Sequence, residues 1–368
     1  MPIRPEPTFR PDLPSPVTLL FCNLGTPDAP TTSAVRRYLG EFLSDYRVVE
    51  IPRLLWWLIL HGVILRLRPK KSAAKYAKIW MPEGSPLLVW TRKFCDTLQQ
   101  KFISVAPFGQ ENRIQVRFAM RYGNPSIGQL MSEIKRQGSE KILIMPAYPQ
   151  YSATTTASIS DAVSHWLAQC RNLPELRFIK HYHDHPAYIG ALANQVRRHW
   201  DQYGRSEMLL MSFHGLPERN LTLGDPYFCE CHKTARLLRE ALELPPQQVK
   251  VTFQSRLGRA KWLQPYTEPT LIELGQQGCK RVDVICPGFV VDCLETLEEI
   301  AMEGRDAYLG AGGQAFHYIP CLNDDPEWAQ AVVSIAQAHL SGWGGSDDRL
   351  VDDGNARDNA KALGAPHG

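Results

Sequence analysis

The sequence predicts an α/β fold built on parallel sheets and divided into two similar halves. Three observations carry this. Short apolar, β-branched runs alternate with helix-like stretches, and strands that alternate with helices pair in parallel. The chain has 368 residues, more than one core usually serves. The sequence also echoes itself. "LLFCNLGTP" and "LLMSFHGLP" each end a strand in a turn holding Gly and Pro. "KILIMPAYPQYS" and "RVDVICPGFVVD" each run from a strand through proline and an aromatic into a polar helix start. Two halves meeting near residue 200 would explain the echo; so would chance likeness between buried strands.

In chain order, residues 1–15 are proline-rich and expected to be flexible. A first α/β domain covers 16–200, with strands expected at 17–25, 113–120, 141–148 and 176–182 and helices at 125–137, 154–170 and 186–202. A second covers 201–325, with strands at 207–215, 249–255, 281–289 and 316–322 and helices at 229–243, 266–277 and 292–303. A C-terminal helix is expected over 326–342. The small, polar, charged tail 343–368 is expected to be disordered.

Composition narrows the function. The chain is 44% hydrophobic and 21% charged, which is globular, and its net charge of +3 with scattered basic residues argues against a nucleic-acid partner. "MPIRPEPTFRPDLPSP" lacks the apolar region of a secretory signal, so the nine cysteines are expected as reduced thiols in the cytoplasm. One segment complicates this. "RLLWWLILHGVILRLRPKK" packs tryptophans and aliphatics into 53–65, then turns basic. Interrupted by His61 and Gly62, the run falls short of the ~20 apolar residues that span a bilayer. It reads as a core helix or as an exposed apolar lip whose basic flank can meet anionic lipid peripherally.

Ligands of open α/β sheets bind beyond the carboxyl ends of the strands. Those ends carry His214, Tyr148 and Tyr151, Arg121 with Tyr122, and Asp292 with Glu295. If they share one cleft, it suits a bulky aromatic anion together with a metal or a proton. Each has a plainer explanation. A strand-end histidine is commonly structural, and D-x-x-E at 292–295 fits a helix capping box. The next residues weigh against the plain account. Glu295, Glu299 and Glu303 repeat every four residues, a like-charge row that a purely structural helix gains nothing from and that offers hard oxygens to a divalent cation. "GAGGQA" (310–315) stands after a helix and before a strand, the reverse of a dinucleotide loop. "CECH" (229–232) lacks a second cluster and reads as surface thiols.

The stretch "LLMSFHGLPERNLTLGDPYF" (209–228) resembles the signature of the ferrochelatases. "NLGTPDAP", "GSPLLVWT", "FAMRYGNPSI", "AYPQYSATTT", "VTFQSRLGRAKWLQPYT" and "PGFVVDCLETLEEI" resemble further family blocks in the same order, over roughly residues 16–342. The resemblance implies two Rossmann-like domains with four-stranded parallel sheets, the chelatase-like fold, and a porphyrin cleft between them. It implies insertion of ferrous iron into protoporphyrin IX, the last step of haem synthesis. His214 and Glu295 would be catalytic and metal-binding. Asp292, Glu299 and Glu303 would form an acidic path. Tyr148, Arg121, Tyr122, Ser85 and Arg68 would line the porphyrin site. Family members with an iron–sulfur cluster carry a C-terminal cysteine group and an internal cysteine. Here nothing follows Cys321, Ala153 occupies "PQYSATTT", and no cluster and no other cofactor is expected. Cys293 stands where some relatives have histidine. Alternatives are a chelatase for coproporphyrin, cobalt or nickel, or a porphyrin carrier without catalysis. The chain is expected as a monomer or homodimer, cytoplasmic, in peripheral contact with the inner face of the membrane at most.

Overall fold

The computed structural model describes residues 3–6, 16–106, 114–256, 258, 260–343, 362 and 364. Strand β1 (Val17–Gly25) is followed by helix α1 (Thr32–Ser44), α2 (Arg53–Ile59), α3 (Leu65–Ile79) and α4 (Pro86–Val105). Strand β2 (Ile114–Tyr122), α5 (Ile127–Arg136), β3 (Lys141–Pro146), α6 (Ser158–Leu167), β4 (Glu175–Phe178) and α7 (Pro186–Tyr203) complete the first half. The second runs through β5 (Met208–His214), α8 (Glu218–Thr222), α9 (Tyr227–Ala241), β6 (Val249–Gln254), α10 (Thr267–Gln276), β7 (Arg281–Ile285), α11 (Arg305–Gly310) and β8 (Ala315–Tyr318). Helix α12 (Pro326–Leu340) closes the chain's described part.

The strands form two four-stranded parallel sheets, ordered β2-β1-β3-β4 and β6-β5-β7-β8. The internal echo is therefore a repeated topology. All eight expected strands are present. The ends at 148, 182, 289 and 322 fall short because each strand stops where it meets the cleft or a turn. Leu19, Leu20, Phe21 and Cys22 are buried on both faces of β1, and Leu209, Leu210 and Met211 likewise on β5. Helices cover both faces, so these two central strands read as nearly continuous apolar runs.

The long connection from β1 to β2 holds three helical stretches of which the sequence showed only the lip. Residues 53–79 form one helical run, and His61 and Gly62 fall in a π-helical turn (Leu60–Ile64) that joins α2 to α3 rather than breaking them. Trp56, Leu60 and Leu65 are buried, with the Trp56 ring nitrogen donating to the Leu43 carbonyl. Leu54, Leu55, Trp57, Leu58 and Leu67 are exposed. The segment is thus both things proposed of it, a core helix on one face and an apolar lip on the other.

α12 crosses back onto the first half. Trp328 stacks on Phe94 of α4 and meets Tyr188 of α7 edge-on, so the two halves share one core. Trp343, where the expected tail begins, is buried; its ring nitrogen donates to Glu175 and Arg177 lies over its face. The tail from 344 falls outside the described residues except 362 and 364. In the N-terminal segment, the Arg4 amide donates to the Gln169 carbonyl and Glu6 pairs with Lys135.

Candidate active site

His214 is the last residue of β5. Its Nδ1 lies 2.7 Å from the Gly215 carbonyl oxygen. A carbonyl can only accept, so Nδ1 carries a hydrogen, and whenever the ring is neutral the lone pair is on Nε2. The Tyr227 hydroxyl donates to the His214 carbonyl at 3.0 Å, fixing the strand end against α9. In the β5–β6 register His214 faces Gln254, whose side-chain amide donates to the Glu295 carbonyl at 3.0 Å. The backbones of His214 and Glu295 are therefore tied through one residue.

Glu295 opens a long π-helical segment, Glu295–Gly304, that continues into α11. π-helical turns cluster at functional sites. Glu295 lines a cleft of about 280 Å³ with Gly25, Thr26, Tyr38, Tyr76 and Ser85, so both halves contribute its walls. A larger opening of about 420 Å³ touches Gly215, Ser255, Trp262 and Tyr266 but neither His214 nor Glu295. The smaller one joins the halves at a carboxylate, which makes it the candidate site.

Glu299 sits behind. It accepts from the Ser255 amide at 2.7 Å and from the Ser255 hydroxyl. Burial pushes its carboxyl above the usual range. The two Ser255 bonds and the charge of His214 act against that, and Glu295 adds to it. Cys293 is buried beside Glu295, and burial holds its thiol protonated. Tyr148 has a buried hydroxyl with no partner among the described residues. Burial raises it strongly, with Tyr122, Cys22 and Cys293 as neighbours. An orphan buried donor costs about 1–3 kcal/mol, which a polar ligand edge would recover.

Several expected positions change. Asp292 does not belong to the acidic row and forms no capping box. It is buried, with Thr296, Tyr318 and Asn323 donating to its oxygens. Those partners leave no oxygen for a travelling cation. Glu303 is at the outer end, half exposed and paired with Lys75. Tyr122 is fully buried and donates to Asp45 at 2.8 Å, so its ring lines no surface. Arg121 lies over that ring and pairs with Asp45 at 2.6 Å while donating to Ser158. Its charge is already neutralised. Ser85 caps α4 by accepting from the Leu88 amide and reaches the cleft. Arg68 is half-buried near Tyr76, whose burial-raised hydroxyl it partly offsets. Cys231 is fully buried and only Cys229 is exposed, so the surface-thiol account holds for one of the pair.

The sequence missed Tyr38 and Tyr76. Tyr38 donates to the Gly25 carbonyl at 3.1 Å, and burial, then Tyr76 and Glu295, raise its hydroxyl. Both stand on α1 and α3, where no helix was assigned, and that is why no cleft position pointed to them.

The family profile described as Ferrochelatase matches residues 16–340. The chain is 59% identical to a Ferrochelatase of Polaromonas sp. (strain JS666) over the full length of both. It is 60% identical to one of Methylibium petroleiphilum, covering 92% of each chain. Among solved structures, SirB from Bacillus subtilis with Fe3+ superposes with a TM-score of 0.52 at 10% identity, over 89% of this chain and 96% of that one, a likeness of fold.

Proposed function

The chain belongs to the ferrochelatase family and inserts ferrous iron into protoporphyrin to make haem; from that premise we propose which of its residues do so. The observation that carries the proposal is the tautomer of His214. With Nδ1–H held by Gly215, the neutral ring presents its lone pair at Nε2. Metallation must remove two pyrrole protons and strip water from the iron. Neutral imidazole accepts a proton efficiently at such a pH, so His214 takes the pyrrole protons. Glu299, whose carboxyl is lifted by burial, is suited to receive them in turn. Glu295 offers the incoming iron a hard oxygen ligand at the cleft wall. Glu303 stands at the outer end of the same segment, where Lys75 holds it until a cation competes. Tyr38, Tyr76 and Tyr148 supply aromatic walls, and Arg68 a cation for a carboxylate substituent.

His214→Ala should lower anaerobic conversion of protoporphyrin IX and ferrous iron to haem by about 10²–10⁴-fold, while porphyrin fluorescence titrations still report binding. Turnover like the wild type by that variant would overturn the assignment. Glu295→Gln should instead weaken saturation by iron and leave the basic limb of the pH profile in place.

Among the described residues no helix is long and apolar enough to cross a membrane. The lip supports peripheral contact. Leu54 is 78% and Trp57 56% exposed, and Arg66, Lys70 and Lys71 follow on α3. Flotation with anionic vesicles should carry the wild type, and Leu54→Ser with Trp57→Ser should reduce it. We further propose that the chain binds no iron–sulfur cluster, on the strength of Ala153 and the lack of any cysteine beyond Cys321. Acid-labile sulfide in haem-free protein would contradict this.

A further inference from the structure

We propose that His181, His183 and Glu230 form a second metal site, separate from the catalytic cleft, that takes a divalent first-row transition ion and pins the two halves together. The ligand atoms of the three residues lie within 4.8 Å of one another. His181 and His183 stand in the loop between β4 and α7, in the first half. Glu230 stands in the first turn of α9, in the second. A metal held by all three would therefore cross-link the halves.

The case rests on how His183 is left. It is 5% exposed and its Nδ1 is buried without a hydrogen-bond partner among the described residues. That nitrogen lies 3.3 Å from Oε2 of Glu230, close enough for a shared ion but without hydrogen-bond geometry. Ligands about 2.0–2.1 Å from a tetrahedral ion stand roughly 3.3–3.4 Å from each other. The His183–Glu230 spacing already meets that. His181 Nδ1 shares a 2.7 Å hydrogen bond with Oε1 of Glu230 on a side chain 41% exposed, a contact the ion would replace.

Glu230 is 7% exposed, and its Oε2 accepts from the Tyr151 amide at 2.7 Å, an outer contact that orients the carboxylate. Among the described residues no lysine or arginine pairs with it; Lys233 is occupied by Asp184, and Lys180 lies over the Tyr151 ring. A second triad, His199, Asp283 and His317, has similar spacing. There Arg281 already neutralises Asp283 and Trp200 donates to it, so it lacks the unbalanced charge that draws a cation. Two imidazoles and one carboxylate, with positions left open, suit Zn2+, Co2+ or Fe2+ over Mg2+ or Ca2+.

The full chain carrying His214→Ala and Glu295→Gln isolates this site from the catalytic one. Titrated with Co2+ after chelator treatment, that background should bind one equivalent with a visible d–d band and gain thermal stability from it. Adding His183→Ala or, on the exposed residue, His181→Gln should abolish the band, and adding His199→Gln should not. With the catalytic pair intact, His181→Gln should leave chelatase turnover within twofold of the wild type. No Co2+ bound by the background, or a band that survives both His183→Ala and His181→Gln, would overturn the proposal. If His183→Ala misfolds by circular dichroism, His181→Gln alone decides.

Discussion

Strand β1 runs into Leu24, Gly25 and Thr26; strand β5 runs into His214, Gly215 and Leu216. Both glycines press on the paired strand. A Cβ on Gly25 would lie 1.7 Å from the Tyr122 carbonyl oxygen, and one on Gly215 would lie 2.7 Å from that of Gln254. Beyond β2 and β6 the Met120 and Phe253 amides donate to the carbonyls of Pro125 and Pro265. β3 and β7 both lead toward π-helical turns, Ala153–Ala157 and Glu295–Gly304. The scaffold is repeated to the residue, yet the side chains on it are not. Where the second half has His214, the first has Leu24. Counted from the starts of β3 and β7, the first half has Thr155 and Ile159 where the second has Glu295 and Glu299.

The halves also differ in what they do with buried charge. Asp45 and Arg121 neutralise each other, with Tyr122 and Ser158 completing the network. Among the described residues, Glu299 has the Ser255 amide and hydroxyl as its direct donors. A repeated fold supplies equivalent strand ends. The half that leaves its charge unpaired is the one with chemistry to offer.

Four changes test this contrast. Gly25→Ala should be the most damaging, because φ is +110° there and the carbonyl of Tyr122 cannot retreat without breaking β1–β2 pairing. More than about 4 kcal/mol is expected. Gly215→Ala meets a softer contact and should cost less. Urea unfolding that ranked the two the other way would break the equivalence of the strand ends. Asp45→Ala should come next, at about 3–5 kcal/mol, because it strands a partly buried guanidinium. Removing the charge of Glu299 by Gln should cost far less, if anything, and equal losses would erase the distinction.

Lys75 and Lys78 on α3 both reach Glu298, at 2.7 and 2.9 Å, and Lys75 also reaches Glu303. They tie the lip helix of the first half to the acidic segment of the second. Burial opposes the charge on Glu298, but hydrogen bonds from the two lysines outweigh it and hold the carboxyl below its usual range. Its contribution is therefore present above the ordinary glutamate range and lost as pH falls through the depressed value. Both lysines are about half exposed, so screening limits the pair to about 1–2 kcal/mol. The double change Lys75→Met, Lys78→Met should remove that much at pH 7 and flatten the acid limb of a melting-temperature profile. A profile unchanged between pH 3 and 5 would show that the lysines do not hold the helices together.

His214 was legible because an apolar run stops abruptly at it, and Glu295 with Glu299 because their spacing repeats along one segment. What the sequence could not show was which partner each charge has. Asp292 follows β7 like Glu295, but Tyr318 and Asn323, some thirty residues on, claim it. Arg121 stands at a strand end as expected, yet Asp45, 76 residues earlier, neutralises it. Periodicity reports which face of an element is buried. It does not report which distant loop arrives at that face. Tyr76 was missed for the related reason that the lip's composition masked a continuous helix, with a π turn absorbing Gly62; Tyr38 stands on α1, where no helix was assigned.

The finest test of the contrast is the pH dependence of Glu299 itself. Its carboxyl is lifted above the usual range, chiefly by burial. The folded state thus binds a proton that the unfolded state has already released, and stability falls as pH rises from the ordinary glutamate value through the raised one. Glu299→Gln keeps an acceptor for the Ser255 amide and cannot ionise. It should therefore melt closer to the same temperature at pH 5 and pH 8 than the wild type does, by about 2 °C. His214 should sharpen the effect: its charge favours ionised Glu299, so His214→Ala should steepen the wild-type slope, and only while Glu299 is present. A slope that His214→Ala leaves alone would mean that the histidine and the buried carboxylate do not sense each other, and the proton route from one to the other would fall with it.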